Sequence, residues 1–475
     1  MNRSIIRRIV FSALFLLTFS SHASAQDGHR IEVRIEGYKE SELYLAYYYG
    51  DKQYIADTAN VNDNKSFVFK GDEPLPAGIY LVVTKPDNNY FEILIDENEQ
   101  NFSVRTKMED LTTNIELYGE APNNRVFQTW LKFLVEPRKA IEELNLQKEG
   151  ANESQLKNID AELLQLEKNV ADKQDEIIDA NPGSLVALLL ATQKNIEIPE
   201  FTGSEEEIQT KQFYYYRDHF FDNLDIGDSR LLYTPVLFNK INQYETTLTV
   251  QNPDSLITAI DLILNKMNPS GENFKFFLIH FLNKYAKSLV VGFDAVYVHL
   301  VNNYYAKGLA PWTDQEKLEE ILDSGKALEP LLIGKIAPDF SLEGQYGAEV
   351  SLHKFDAKYT VLYFWRKTCG QCVKQIPDLK KVYEKYAKDG LKVFTISTSV
   401  GDDVKEDRKF IEDNNLTMWT NAAHPYQIGK VMQLYDIKST PQIYLLDKDK
   451  KILSKRIGAD QLEGVLDYII KADTN

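Results

Sequence analysis

Cysteine is nearly missing from this chain: 475 residues carry two, Cys369 and Cys372, three positions apart. A pair so close staples little. Closing so short a loop is worth roughly 2 kcal/mol, against nearly 5 for a hundred-residue loop. Two thiols also fall short of the four ligands of a structural zinc site, and no second C-x-x-C or histidine pair completes the set. His219, His280 and His299 each stand alone beside aromatics, as packed or surface histidines do, so no metal is expected. Beyond residue 25 no run approaches the ~18 consecutive apolar residues of a membrane span. Cations are short too, with 54 Lys and Arg against 71 Asp and Glu, a formal net charge of −17. An acidic surface argues against nucleic acid or anionic lipid as a partner. The deficit is uneven: residues 26–332 hold 29 cations against 51 acids, and residues 333–475 hold 22 against 20.

What is present begins with a leader. Arg3, Arg7 and Arg8 precede an apolar stretch from Ile9 to Phe19, and Ala23-Ser24-Ala25 supplies a small-x-small cleavage site. That order predicts a signal peptide over 1–25, and the apolar stretch is too short to cross a bilayer. No cysteine near the cut offers a lipid attachment point. The expected product is secreted across the inner membrane into a periplasm, and is at most peripheral to a membrane. Its formal charge is −20 once the three leader arginines are gone.

About 450 remaining residues suggest three domains. Residues 26–120 alternate with period two in segments such as "RIEVRIEGY" and "GIYLVVTKPDNNYFEILIDE", rich in Tyr, Val and Ile and broken by turn residues. That pattern predicts an all-β sandwich, with Tyr44, Tyr47, Tyr48 and Tyr49 on amphipathic strand faces. Residues 121–330 follow helical spacing, including a hairpin turned at "EGANES" and a helix capped by Asp254. Residues 331–475 alternate strand and helix and end β-β-α. This predicts a sheet covered on both faces with an antiparallel edge. The fold class is therefore multidomain: an all-β sandwich, an all-α helical domain, and a C-terminal α/β domain.

Cys369 falls where strand "VLYFW" hands over to helix "GQCVKQIPDLKKVYEKY". Unsatisfied N–H groups and the helix dipole at that end favour a thiolate. Arg366 and Lys367 just ahead add positive charge. A redox dithiol needs this spacing. Cys369 would attack a disulfide and Cys372, one turn in, would resolve the mixed disulfide. A structural staple and a zinc site are the competing readings.

Around these cysteines, residues 331–475 resemble the thioredoxin superfamily, specifically the TlpA/ResA-like, AhpC/TSA-related branch of extracytoplasmic thiol–disulfide oxidoreductases. "GKIAPDFSL", "VLYFW…CGQC…IP" and "KSTPQIYLLD" carry the resemblance, and Pro377 matches a kink proline in the active-site helix. It implies a thioredoxin-like fold and a cis-proline, Pro441 after Thr440, facing the dithiol. Thr440, Pro441 and Trp365 would border the substrate, while Arg366, Lys367, Gly370 and Gln371 would tune the thiol pKa. It implies no cofactor beyond the redox-active disulfide. Client proteins with disulfides would be the substrates and a membrane thiol-transfer reductant the electron source. The sandwich and helical regions are similar to poorly characterised domains fused to such modules.

The sequence departs from that pattern at Thr368 and Gln371, where Trp and Pro are usual. It departs again at Gln375 and Tyr363, where acids are found, so Cys372 has no obvious proton acceptor. A peroxidase would want P-x-x-x-[ST]-x-x-C, and Leu362 and Arg366 occupy its proline and hydroxyl positions. The leading expectation is a periplasmic thiol–disulfide oxidoreductase. The alternative is an envelope binding or assembly protein whose thioredoxin-like domain is regulatory or vestigial.

Overall fold

Alternation in "HRIEVRIE" puts Ile31, Val33 and Ile35 on one buried face of strand β1 (His29–Glu36), while Arg30 and Arg34 face solvent. Seven more strands build the N-terminal sheets in a computed structural model that describes residues 28–424 and 428–474. The leader expected over 1–25 lies outside the described residues. The described residues form two compact units, divided between Gln193 and Lys194.

In the first unit, β1 is followed by β2 (Glu42–Tyr49), β3 (Lys52–Asn60), β4 (Phe67–Gly71) and β5 (Gly78–Val83). Strands β6 (Tyr90–Ile95), β7 (Asn101–Lys107) and β8 (Glu116–Gly119) complete the set. They form two four-stranded sheets, ordered β4-β1-β7-β8 and β3-β2-β5-β6. Ile31, Val33, Phe69 and Val104 of one sheet share a core with Leu43, Leu45, Val82 and Ile93 of the other, as a sandwich requires. Tyr47 packs at the margin of that core beside Tyr80. Helix α1 (Pro122–Lys148) lies against β6: Asn124 accepts from the Leu94 N–H at 2.8 Å, and Gln128 donates to the Glu92 carbonyl at 2.8 Å. The hairpin turn falls where expected. Asn152 and Gln155 form a reciprocal capping box that starts α2 (Glu153–Ala180), and Ser184 caps α3 (Leu185–Ala191).

The second unit starts with helices α4 (Glu205–Asp218), α5 (Pro235–Gln243), α6 (Pro253–Asn265), α7 (Glu272–Ala286), α8 (Asp294–Leu300) and α9 (Gln315–Leu328). The helices of 121–330 thus distribute over both units. One expected cap moves: Asn252, not Asp254, accepts from the Ser255 N–H, because Pro253 occupies the first helical position and shifts the start two residues earlier. His219 and His299 are held by carboxylates, Asp222 at 2.6 Å and Asp261 at 2.8 Å.

After the helices come β9 (Ser341–Gly344), β10 (Glu349–Ser351), β11 (Tyr359–Trp365), α10 (Gly370–Tyr386), β12 (Leu391–Ser397) and α11 (Asp403–Asp413). The chain closes with β13 (Thr420–Ala423), α12 (Ile428–Leu434), β14 (Gln442–Leu446), β15 (Ile452–Lys455) and α13 (Leu462–Thr474). The seven strands make one mixed sheet, β10-β9-β13-β12-β11-β14-β15, with β11, β12 and β13 parallel and β14 and β15 antiparallel at the far edge. Apolar side chains of α10 and α13 cover one face and those of α12 the other, which is the expected α/β arrangement. Central β11 is buried at all seven positions. Lys455, at the end of β15, is 2 % exposed, forms an ion pair with Asp294 of α8 and donates to the Leu331 carbonyl at 2.5 Å. Burial holds its pKa below the usual lysine value. Removing either partner leaves an uncompensated buried charge, so this pair pins the sheet edge to the helical layer.

Candidate redox site

The end of β11 delivers the chain to the N-terminus of α10, and Cys369 is the capping residue between them. Its backbone is extended, φ −88° and ψ 101°, and its Sγ accepts from the Cys372 N–H at 3.2 Å. A sulfur in that position meets the unsatisfied amides and the positive end of the helix dipole, which lower the cost of a thiolate. The two cysteines form a disulfide with Cα atoms 5.2 Å apart. Cys372 is fully buried and Cys369 only partly, so an incoming group reaches Cys369 first.

Across from the dithiol the Thr440–Pro441 peptide is cis, and the Thr440 carbonyl oxygen lies 3.3 Å from Cys369 Sγ. A disulfide sulfur carries no proton, so this approach is a contact in the oxidised form and a hydrogen bond only for the protonated thiol. Gly370 and Gln371 are exposed on the outer side of the first turn, and a Cβ added to Gly370 would meet nothing within 4 Å. Arg366 is also exposed. The Lys367 ammonium lies 2.7 Å from Glu406 of α11, and that hydrogen bond raises the lysine pKa and lowers that of the carboxylate. Part of the positive charge the sequence placed beside Cys369 is therefore answered locally.

Trp365 is a correction. It is 1 % exposed and packed against Phe410, in the buried cluster that also holds Cys372. That sets it behind the dithiol, not on a surface a client touches. The physical reason is that β11 is covered on both faces, so neither parity of the strand points to solvent.

Tyr363 occupies the position where an acid is found in the resembling family, and it is put to a different use. Its hydroxyl donates to the Cys372 carbonyl at 2.8 Å, and burial pushes the phenol pKa well above its ordinary value. It supports the first turn of α10 and takes no proton at neutral pH. Gln375 is half-buried, with a side-chain oxygen that is buried and makes no hydrogen bond. Leu362 is fully buried in the sheet, and neither it nor Arg366 supplies a hydroxyl for peroxide.

Sequence reasoning missed Asp407. This carboxylate, 2 % exposed on α11, accepts from the Lys367 N–H at 2.8 Å and from the Ser397 hydroxyl. Ser397 Oγ in turn accepts from the Ser399 N–H at 3.2 Å. A buried acid thus ties the loop entering the dithiol to the end of β12. Nothing local in "DDVKEDRKFIEDNN" separates this aspartate from its exposed neighbours.

Comparison with known proteins gives three family matches: AhpC/TSA family over residues 333–455, a domain of unknown function (DUF4369) over 29–125, and another (DUF5106) over 154–325. A thiol-disulfide oxidoreductase ResA from Bacillus cereus is 29 % identical over 147 residues, which are 30 % of this chain and 80 % of that protein. A chloroplastic peroxiredoxin Q from Triticum aestivum is 36 % identical over 121 residues, 24 % of this chain and 54 % of that protein. Among solved structures, a domain of a possible thiol-disulfide isomerase from Cytophaga hutchinsonii is 32 % identical. It covers 31 % of this chain and 99 % of its own, with a TM-score of 0.28.

Proposed function

Because the C-terminal part of this chain is a thioredoxin-like domain of the AhpC/TSA family, and a thiol–disulfide oxidoreductase, we propose that it exchanges disulfides with client proteins in the periplasm through Cys369 and Cys372. One observation carries the reading: the partly exposed sulfur of Cys369 sits at a helix N-terminus, accepts from the Cys372 amide, and faces the Thr440–Pro441 segment. The leader-like first 25 residues support export. Among the described residues, no helix is long and apolar enough to cross a membrane.

In the reducing direction, the Cys369 thiolate attacks one sulfur of a client disulfide. A Cys369–client bond forms as the client S–S bond breaks, and one client thiolate leaves. Cys372 loses its proton to water, since Tyr363 holds its own, and attacks Cys369 Sγ. The intramolecular disulfide forms, the second client thiolate departs, and two electrons have passed from the pair to the client. A membrane dithiol reductant restores the pair by the same exchange in reverse. Arg366, Lys367, Gly370 and Gln371, the neighbours of the attacking sulfur in sequence, would set how far its thiolate is favoured.

The test is turnover of insulin by the full chain. Cys369→Ser abolishes it, whereas Cys372→Ser accumulates a covalent client adduct that Cys369→Ser does not form. Adducts trapped on Cys372 instead would reverse the assigned roles, and insulin turnover surviving both substitutions would remove the proposal altogether.

A further inference from the structure

Beside the cis-proline the second unit has a cleft of about 320 Å³ that the thioredoxin-like sheet does not build alone. One wall is the end of α7 and the loop after it, with Leu289, joined by Tyr297 of α8 and Leu328 of α9. The other wall is Asp436, Gln442 and Arg456 from the sheet side. The two walls are fastened through the buried Lys455–Asp294 pair, so the cleft is preformed.

Its polar groups are largely committed to one another. Asp436 lies 3.3 Å from the Lys438 ammonium and 3.6 Å from the Arg456 guanidinium, and Asp294 is held by Lys455. The apolar lip is not. Leu289, which lines the cleft, is 93 % exposed, and Val290 and Val291, next to it in the chain, are 57 % and 37 % exposed. Ile333, also exposed, borders the same loop, since a Cβ on Gly292 would lie 3.4 Å from its Cδ1. Scattered surface hydrophobes need no explanation, but three in succession on a loop tip beside a cleft form a patch without a partner in the fold.

Position supplies the partner. Gln442 lines the cleft two residues beyond Thr440, whose carbonyl is 3.3 Å from Cys369 Sγ. An extended chain advances about 3.3 Å per residue. A peptide laid alongside the Thr440–Gln442 segment with its cysteine at Cys369 brings a residue about two positions away to the cleft mouth.

We infer that this cleft receives an apolar side chain of an extended client segment, about two residues from the cysteine under attack, with Leu289 closing over it. The inference rests on the redox reading of Cys369 and adds the client's side-chain class to it. It also assigns the helical layer a role in choosing clients.

The experiment uses the reduced full chain and five disulfides: a small aromatic disulfide, and four mixed disulfides of a short cysteine peptide carrying either Leu or Ser two positions before or after the cysteine. The expected result is a kcat/KM about tenfold higher for a Leu peptide than for its Ser counterpart, in line with what one apolar side chain contributes in a pocket. Leu289→Asp should bring that ratio close to one, and Leu289→Met should keep it. A side chain so exposed is replaceable without unfolding the protein. Equal rates for Leu and Ser peptides, or a preference that Leu289→Asp leaves intact, overturns the cleft assignment while the small disulfide still reports a working Cys369. No turnover of the small disulfide overturns the redox reading, and this inference with it.

Discussion

Asp407→Ala tests whether a buried carboxylate holds the loop that presents Cys369. In the wild type, Asp407 accepts from the Lys367 N–H and from the Ser397 hydroxyl, at 2 % exposure. Alanine leaves both donors behind. Ser397 is itself 3 % exposed, so its stranded hydroxyl costs about 1–3 kcal/mol. The Lys367 amide is only partly buried and water reaches it, so its loss is nearer the roughly 1 kcal/mol of an ordinary hydrogen bond. The sum is about 2–4 kcal/mol, or roughly 5 °C in Tm at its middle, taking about 1.7 °C per kcal/mol for the unit 194–475. Asp407→Asn keeps an acceptor for Lys367 and loses less. The assays are thermal melting of the oxidised protein and hydrogen exchange at the Lys367 amide, which should lose protection in the alanine variant. A melting temperature within a degree of wild type, with the Lys367 amide still protected, would refute the strut.

Two further outcomes follow from burial. Tyr363→Phe should cost about 1 kcal/mol, the net worth of its hydrogen bond to the Cys372 carbonyl, and leave the pH profile of mixed-disulfide resolution in place. A profile that shifts would mean the phenol does move a proton. In the first unit, desolvation raises the pKa of Glu92. A carboxyl raised on folding stabilises the folded state below its unfolded pKa and loses that advantage as pH rises through the folded value. Glu92→Gln should therefore raise Tm at pH 7 and have little effect near pH 4; equal shifts at both would contradict the desolvation.

Hydrogen bonding over one turn of chain is a local matter, and what depends on it was readable in order along the sequence. The strand that ends at Trp365, the helix that begins at Gly370 and the two sulfurs on its first turn follow from period and spacing. So do the sandwich strands, the hairpin at "EGANES" and the antiparallel edge of the last sheet. Even locally the margin is thin: Asp254 and Asn252 are both good caps, and the proline between them decided for Asn252.

What only the tertiary structure decided involves partners far apart in the chain. Asp407 meets Lys367 across 40 positions and Lys455 meets Asp294 across 161, and no spacing announces either pairing. Trp365, expected to border the substrate, proves buried because helices cover both faces of β11, and nothing in its local sequence sets Leu289 in solvent at the mouth of a cleft. Periodicity records how a segment alternates along itself, while burial depends on what the rest of the chain lays over it. The position of the proposed reactive sulfur is therefore a property of sequence, and the surface that would choose its client is a property of the fold.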